Sequence, residues 1–169
     1  MSHEKQITSR IDLYVDHLLE CKDMDNLILK GHLMTERALQ YYINEKAIKK
    51  VNFKKVRFTY SNKLEIAKLL GLFEKKETQL YRLLKLLNGL RNSIAHSVEI
   101  DSKILKKFLD NSFIQSITGK DGIEIMNPED KIEYKLSKIE KIIVTGNHFR
   151  LILNISMICS KIYAISGVK

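Results

Sequence analysis

Apolar positions recur at intervals of three and four along most of this chain. Ile7, Ile11, Val15 and Leu18/Leu19 form one such stripe and predict a first helix over about 5–19. The acids at 23–25 can cap a second, longer helix, whose broad apolar face is Leu27, Leu29, Leu33, Met34, Ala38, Leu39, Tyr42 and Ile43. Gly31 interrupts that face and marks a place where another helix can approach closely. The strongest pattern runs over 77–94, where Leu80, Leu83, Leu84, Leu87, Leu90 and Ile94 share one side. Before it, Asn62 with Glu65 suggests a capping box opening a short helix that stops near Gly71.

After Ser97 the pattern weakens. A short helix is expected over 101–109, and 113–117 with 123–126 flank Thr118-Gly119-Lys120-Asp121-Gly122, which reads as a small β-hairpin. Asn127-Pro128-Glu129-Asp130 reads as a helix start, with that helix reaching about Val144. Thr145-Gly146-Asn147 breaks it, and a last core helix occupies 148–165. The expected architecture is an all-α, up-and-down bundle of five to six helices, with the hairpin as its one β element, in a single domain over 1–169.

Composition agrees with helices: Pro occurs once and Gly seven times in 169 residues. The net charge of +9 implies an acidic partner such as RNA, DNA, an anionic membrane or an acidic protein, or serves solubility alone. Cys21 and Cys159 are the two cysteines, too few for a disulfide framework and without metal-ligand spacing. No apolar run is long enough to span a bilayer, and the opening residues are polar, so a cytoplasmic, reducing setting is expected. The phosphate-binding, dinucleotide, nucleophile-elbow and zinc patterns are absent from the sequence, which removes support for kinase, dehydrogenase, hydrolase and zinc-finger chemistry.

The chemistry that remains centres on Leu90-Arg91-Asn92-Ser93-Ile94-Ala95-His96, at the end of the leucine-rich helix. An imidazole near neutral pKa can move the proton of a ribose 2′-OH or of a leaving oxygen. A guanidinium can hold a phosphate and stabilise the charge of its pentacoordinate state. On a straight helix, however, five steps of roughly 100° set Arg91 and His96 about 140° apart. Either the helix ends or bends near Ala95, or a second molecule completes the site. Asn92, four residues before His96, shares its face and can orient the imidazole. The spacing alone is weak, since Arg10 and His17 match it too.

The setting carries more than the spacing. The leucine-rich run into Leu90-Arg91-Asn92-Ser93-Ile94-Ala95-His96-Ser97 resembles the HEPN superfamily (higher eukaryotes and prokaryotes nucleotide-binding), whose hallmark is Arg, a polar residue, then His after a gap of four to six. Gly31 to Leu39, the run Leu69-Leu70-Gly71-Leu72 and the late Phe149-Arg150-Leu151-Ile152-Leu153 are similar to the branch around the mannitol operon repressor. The resemblance implies a homodimer with its Arg-x4-His segments facing each other. It implies a metal-independent endoribonuclease, of the toxin–antitoxin and anti-phage defence kind, that cuts by 2′-OH attack to leave 2′,3′-cyclic phosphate and 5′-OH ends. In that reading His96 is the acid/base group, Arg91 the phosphate binder and Asn92 their polar neighbour, with no cofactor and no metal. The branch paired with nucleotidyltransferase antitoxins carries Tyr two residues after the His, where this chain has Val98.

Glu36, four residues after His32, is a candidate acid supporting Arg91 or His96; with His32 it makes too small a set for a metal. The stretch with Lys49, Lys50, Lys54, Lys55 and Arg57, interleaved with Phe53, Phe58 and Tyr60, is a candidate RNA track, the alternative being solvated lysines over packed aromatics. An acidic antitoxin or regulatory protein is a further expected partner. The rival class is a non-catalytic HEPN-fold regulator or interaction module. A DNA-binding repressor has less support, because no helix-turn-helix with a basic recognition helix stands out.

Overall fold

The computed structural model describes residues 14–73, 78–97, 99–111, 113, 131–134 and 142–167. The described part of the first expected helix, 14–19, is helical (α1). Then come α2 (Met24–Lys46), α3 (Tyr60–Leu69), α4 (Thr78–Ser97) and α5 (Ser102–Asp110). A two-stranded ribbon, β1 (Lys131–Tyr134) and β2 (Ile142–Thr145), leads into α6 (Gly146–Ile165). The fold is an all-α bundle with one small β ribbon.

Local chemistry sets most of these boundaries. Asp23 caps α2 by accepting the Asn26 backbone N–H at 2.7 Å. α3 starts earlier than expected. Thr59 is its N-cap, and Asn62, expected as the cap, is instead the third helical residue, accepting the Thr59 N–H in return. The helix ends as expected at Gly71, whose φ of 87° is the left-handed conformation glycine adopts freely. Gly71 N–H bonds Lys68 O and Leu72 N–H bonds Ala67 O, each at 3.0 Å, so two end carbonyls are satisfied while Leu72 tucks into the core.

The core lies between α2, α4 and α6. Leu80, Leu83, Leu84, Leu87 and Leu90 of α4 are fully buried, each worth about 1.5–3 kcal/mol in removal from water. α6 is buried around most of its circumference, through Leu151, Ile152, Ile155, Ile158, Cys159 and Ile162, and is the central helix. Two of its buried polar side chains return their bonds locally: Ser156 to Ile152 O, Asn154 to Arg150 O. α2 crosses α6 at Gly31, where an added Cβ would collide with Ile155 Cδ1. This is the close approach that the glycine predicts.

The segment before α6 departs from expectation. Instead of a helix reaching Val144, β1 and β2 pair antiparallel, Lys131 opposite Thr145 and Tyr134 opposite Ile142. Three consecutive β-branched residues, Ile142-Ile143-Val144, and the alternation Lys131-Ile132-Glu133-Tyr134 favour extended backbone over helix. The hairpin expected at 113–126 lies, apart from Phe113, outside the described residues. Thr145 closes the ribbon and caps α6 through the His148 N–H at 3.3 Å.

Candidate functional site

Burying its leucine stripe turns another side of α4 toward α2. Asn88, Arg91 and Asn92, spaced three and four apart, succeed one another along that side. They line a groove of about 500 Å³ with His32, Leu33 and Glu36 of α2 and 58–61 at the start of α3. Three separate stretches of chain thus converge beside Arg91.

His32 is the organising residue of this groove, and it is 6% exposed. Its Nε2 donates to Asn88 Oδ1 at 3.1 Å, and its ring stacks on Tyr60 with centroids 4.2 Å apart. Thr35 donates its hydroxyl hydrogen to His32 O at 2.9 Å, so the Tyr60 hydroxyl, 3.1 Å away, donates to Thr35 Oγ1. Burial lowers the His32 pKa from its ordinary 6.5; Asn88 and Glu36 oppose the shift, while Arg91 and Lys63 add to it. At neutral pH the imidazole is uncharged. The buried Tyr60 hydroxyl is pushed far above its ordinary value, chiefly by desolvation, and stays protonated.

Glu36 lies in the same groove as Arg91, but its Oε1 is held by Lys63 Nζ at 2.5 Å. Lys63 is 5% exposed and lies over the Phe53 ring, 5.6 Å from its centroid. Among the described ion pairs Glu36 is joined to Lys63 and not to Arg91 or His96: its carboxylate neutralises a buried lysine and reaches the groove as one half of an ion pair. Arg91 is exposed and bonds Asn92 Oδ1 at 3.3 Å.

α4 runs to Ser97, two residues past Ala95, so Arg91 and His96 are both helical residues. Arg91 and His96 lie on different faces of one continuous helix. His96 is exposed in the last turn, outside the groove that holds Arg91 and Asn92. Within one chain the arrangement brings a guanidinium, the amides of Asn88 and Asn92 and a neutral imidazole to one groove, and sets a second, solvated imidazole apart.

The 47–59 connection is irregular, as expected. Asn44 pins it to α2, accepting Val51 N–H at 2.7 Å. Lys49, Lys50, Lys54, Lys55 and Arg57 are all exposed, and Lys50 is tied to Asn44 O and Glu45, each at 2.9 Å. Phe53 and Phe58 are half-buried and meet edge to face at 6.2 Å. Tyr60 is 6% exposed, so it packs inside and is not a stacking platform for bases, which corrects one of the three expected aromatics.

The sequence spacing pairs His32 with Glu36, whereas the partners it takes in the fold are Asn88, 56 residues away, and Tyr60. The one signal for them was Asn88 three residues before Arg91, on the same helical side. Among the described residues no group of three or more His, Cys, Asp or Glu can hold a metal ion, and no helix is long and apolar enough to cross a membrane. No family model matches the chain, and no curated protein or solved structure matches it.

Proposed function

We propose that this chain is a HEPN-type, metal-independent endoribonuclease that acts as a homodimer in the cytoplasm, as a toxin or anti-phage effector. The observation that carries the reading is α4, which presents Arg91 and Asn92 on a groove and His96 one turn past Asn92, exposed and about 140° around the helix from Arg91. A second molecule facing this end of α4 would bring its own His96 to the first molecule's Arg91. Arg91 then holds the scissile phosphate, with its guanidinium on the non-bridging oxygens. His96 takes the proton of the 2′-OH or supplies one to the departing 5′-oxygen. The 2′-oxygen attacks phosphorus, the bond to the 5′-oxygen breaks, and the products are a 2′,3′-cyclic phosphate and a 5′-OH. Asn92, one turn from His96, positions the ring or the substrate. The exposed Lys49, Lys54, Lys55 and Arg57 draw in the rest of the RNA backbone. Two free, buried thiols, Cys21 and Cys159, suit a reducing compartment.

The test is purified protein on RNA in EDTA, beside Arg91→Ala and His96→Ala. The expected result is cleavage by the wild type to cyclic-phosphate ends, with a loss of roughly 100-fold or more in each variant. Equal cleavage by all three sinks the proposal. The second reading, a non-catalytic HEPN-fold binding module, is favoured by one observation: within the chain, His96 lies outside the Arg91 groove. It expects no cleavage, and partner binding that survives His96→Ala.

A further inference from the structure

α4 and α5 run antiparallel, with Gly89 beside Ile104 and Arg82 Nη1 bonded to Asn111 Oδ1 at 2.8 Å. Between them lies a second groove of about 630 Å³, which shares no lining residue with the Arg91 groove. Its floor is apolar, made by Phe73, Leu86 and Ile104, and Gly89 contributes no side chain to fill it. Its rim carries four cations, Lys68, Arg82, Lys85 and Lys107, and no carboxylate among the described lining residues. Apolar floor and cationic rim together define the ligand: an apolar stripe flanked by negative charge.

We infer that this groove docks an acidic amphipathic helix of a partner protein, apolar side down and carboxylates against the lysines. Three observations favour that occupant. First, the α4 wall from Arg82 to Gly89 spans about 10 Å, two turns of helix, and so matches apolar anchors at i, i+3 or i+4, and i+7. Second, the like charges on the rim are complementary to an acid-rich helix and repel a basic one. Third, the Tyr81 ring is not offered to a nucleic-acid base. Lys68 and Lys85 each hold an ammonium 5.3 Å from its centroid, Phe73 meets it at 5.1 Å, and its hydroxyl donates to Glu65 at 2.6 Å. Glu65 adjoins the groove through that bond.

The probe is a fluorescein-labelled helical peptide of ~16 residues with Leu at the three anchor spacings and Glu elsewhere, read by anisotropy against the full chain. A scrambled peptide of the same composition and a uridine-rich single-stranded RNA run beside it. Lys85→Glu/Lys107→Glu reverses the rim. Lys49→Glu/Lys54→Glu changes net charge equally at the distant connection, and Lys85→Gln/Lys107→Gln is a milder rim variant should the reversal perturb folding. Expected are binding of the patterned peptide in preference to the scrambled one, loss of about tenfold or more on rim reversal, and little change in the distant variant. Failure of the patterned peptide to bind, equal binding of both peptides, or equal loss in both charge-reversed variants overturns the inference. So does RNA binding that the rim reversal abolishes and the distant variant spares, which would give the groove to nucleic acid. None of these readouts depends on cleavage activity.

Discussion

His32 and His148 are buried imidazoles, and desolvation lowers both from the ordinary 6.5. For His148 a bond to the Cys21 backbone and the charge of Asp23 oppose the shift. The folded chain therefore resists protonation at pH values where the unfolded chain accepts it. Stability from these two groups is full above about pH 6.5 and falls as pH drops toward the lower folded values, where the loss levels off. Asp23, lowered by its bonds from Asn26, loses its contribution only in the more acidic range below the ordinary carboxylate value of 3.8. Urea melts at about pH 7.5 and pH 5.5 should show the loss, and His32→Gln should flatten part of the slope; a variant as pH-sensitive as the wild type would exclude His32 as its source. Gly31 makes a second prediction by sterics alone. A side chain there collides with Ile155 Cδ1 and meets Cγ1 and Cγ2 at 3.2 Å, so Gly31→Val should cost about 1–3 kcal/mol. Ile155→Ala in the same chain should then cost less than it does alone, which a double-mutant cycle on thermal unfolding measures.

At the scale of elements, α3 depends on its two ends, since ten residues are too few for a helix to hold itself. Thr59→Ala removes the capping-box acceptor and should cost about 1 kcal/mol in chemical denaturation; no change would mean that the Asn62 return bond alone suffices. Helices with a continuous stripe were legible from the pattern, because 3.6-residue periodicity records which side is buried: α2, α4 and α6 lie within a few residues of expectation. The ribbon was not legible in the same way. Asn127-Pro128-Glu129-Asp130 carries helix-start chemistry, yet Ile142-Ile143-Val144 further along is a run of β-branched side chains, and these decided for a strand. The site divides likewise. Arg91, Asn92 and His96 could be singled out because they are close in sequence and chemically distinct. The His32–Tyr60 stack and the His32–Asn88 bond join residues 28 and 56 positions apart, and no local pattern encodes such a pairing.

For the whole molecule, the proposed ribonuclease site is a question of symmetry. On one unbroken α4, Arg91 and His96 are about 140° apart, so one phosphate cannot be gripped by both from the same chain without distorting the helix. A two-fold axis at this end of the helix places the same two residues of a second molecule in reciprocal positions, and each site then takes Arg91 from one protomer and His96 from the other. That geometry has a consequence no single-chain site shares. Arg91→Ala and His96→Ala should each be inactive as homodimers, but a mixed dimer would contain one site with both wild-type side chains and one with neither. If subunits exchange freely, half the dimers are mixed and each has one working site of two, so the mixture should recover about a quarter of wild-type cleavage. Sedimentation of the wild type should show the dimer, and the recovery should disappear when the two variants are mixed below its dissociation concentration. A mixture as inactive as its components, under conditions where exchange is shown by differently labelled chains, rules out a site shared in this way. It would leave His96 without a route to the phosphate that Arg91 is proposed to hold.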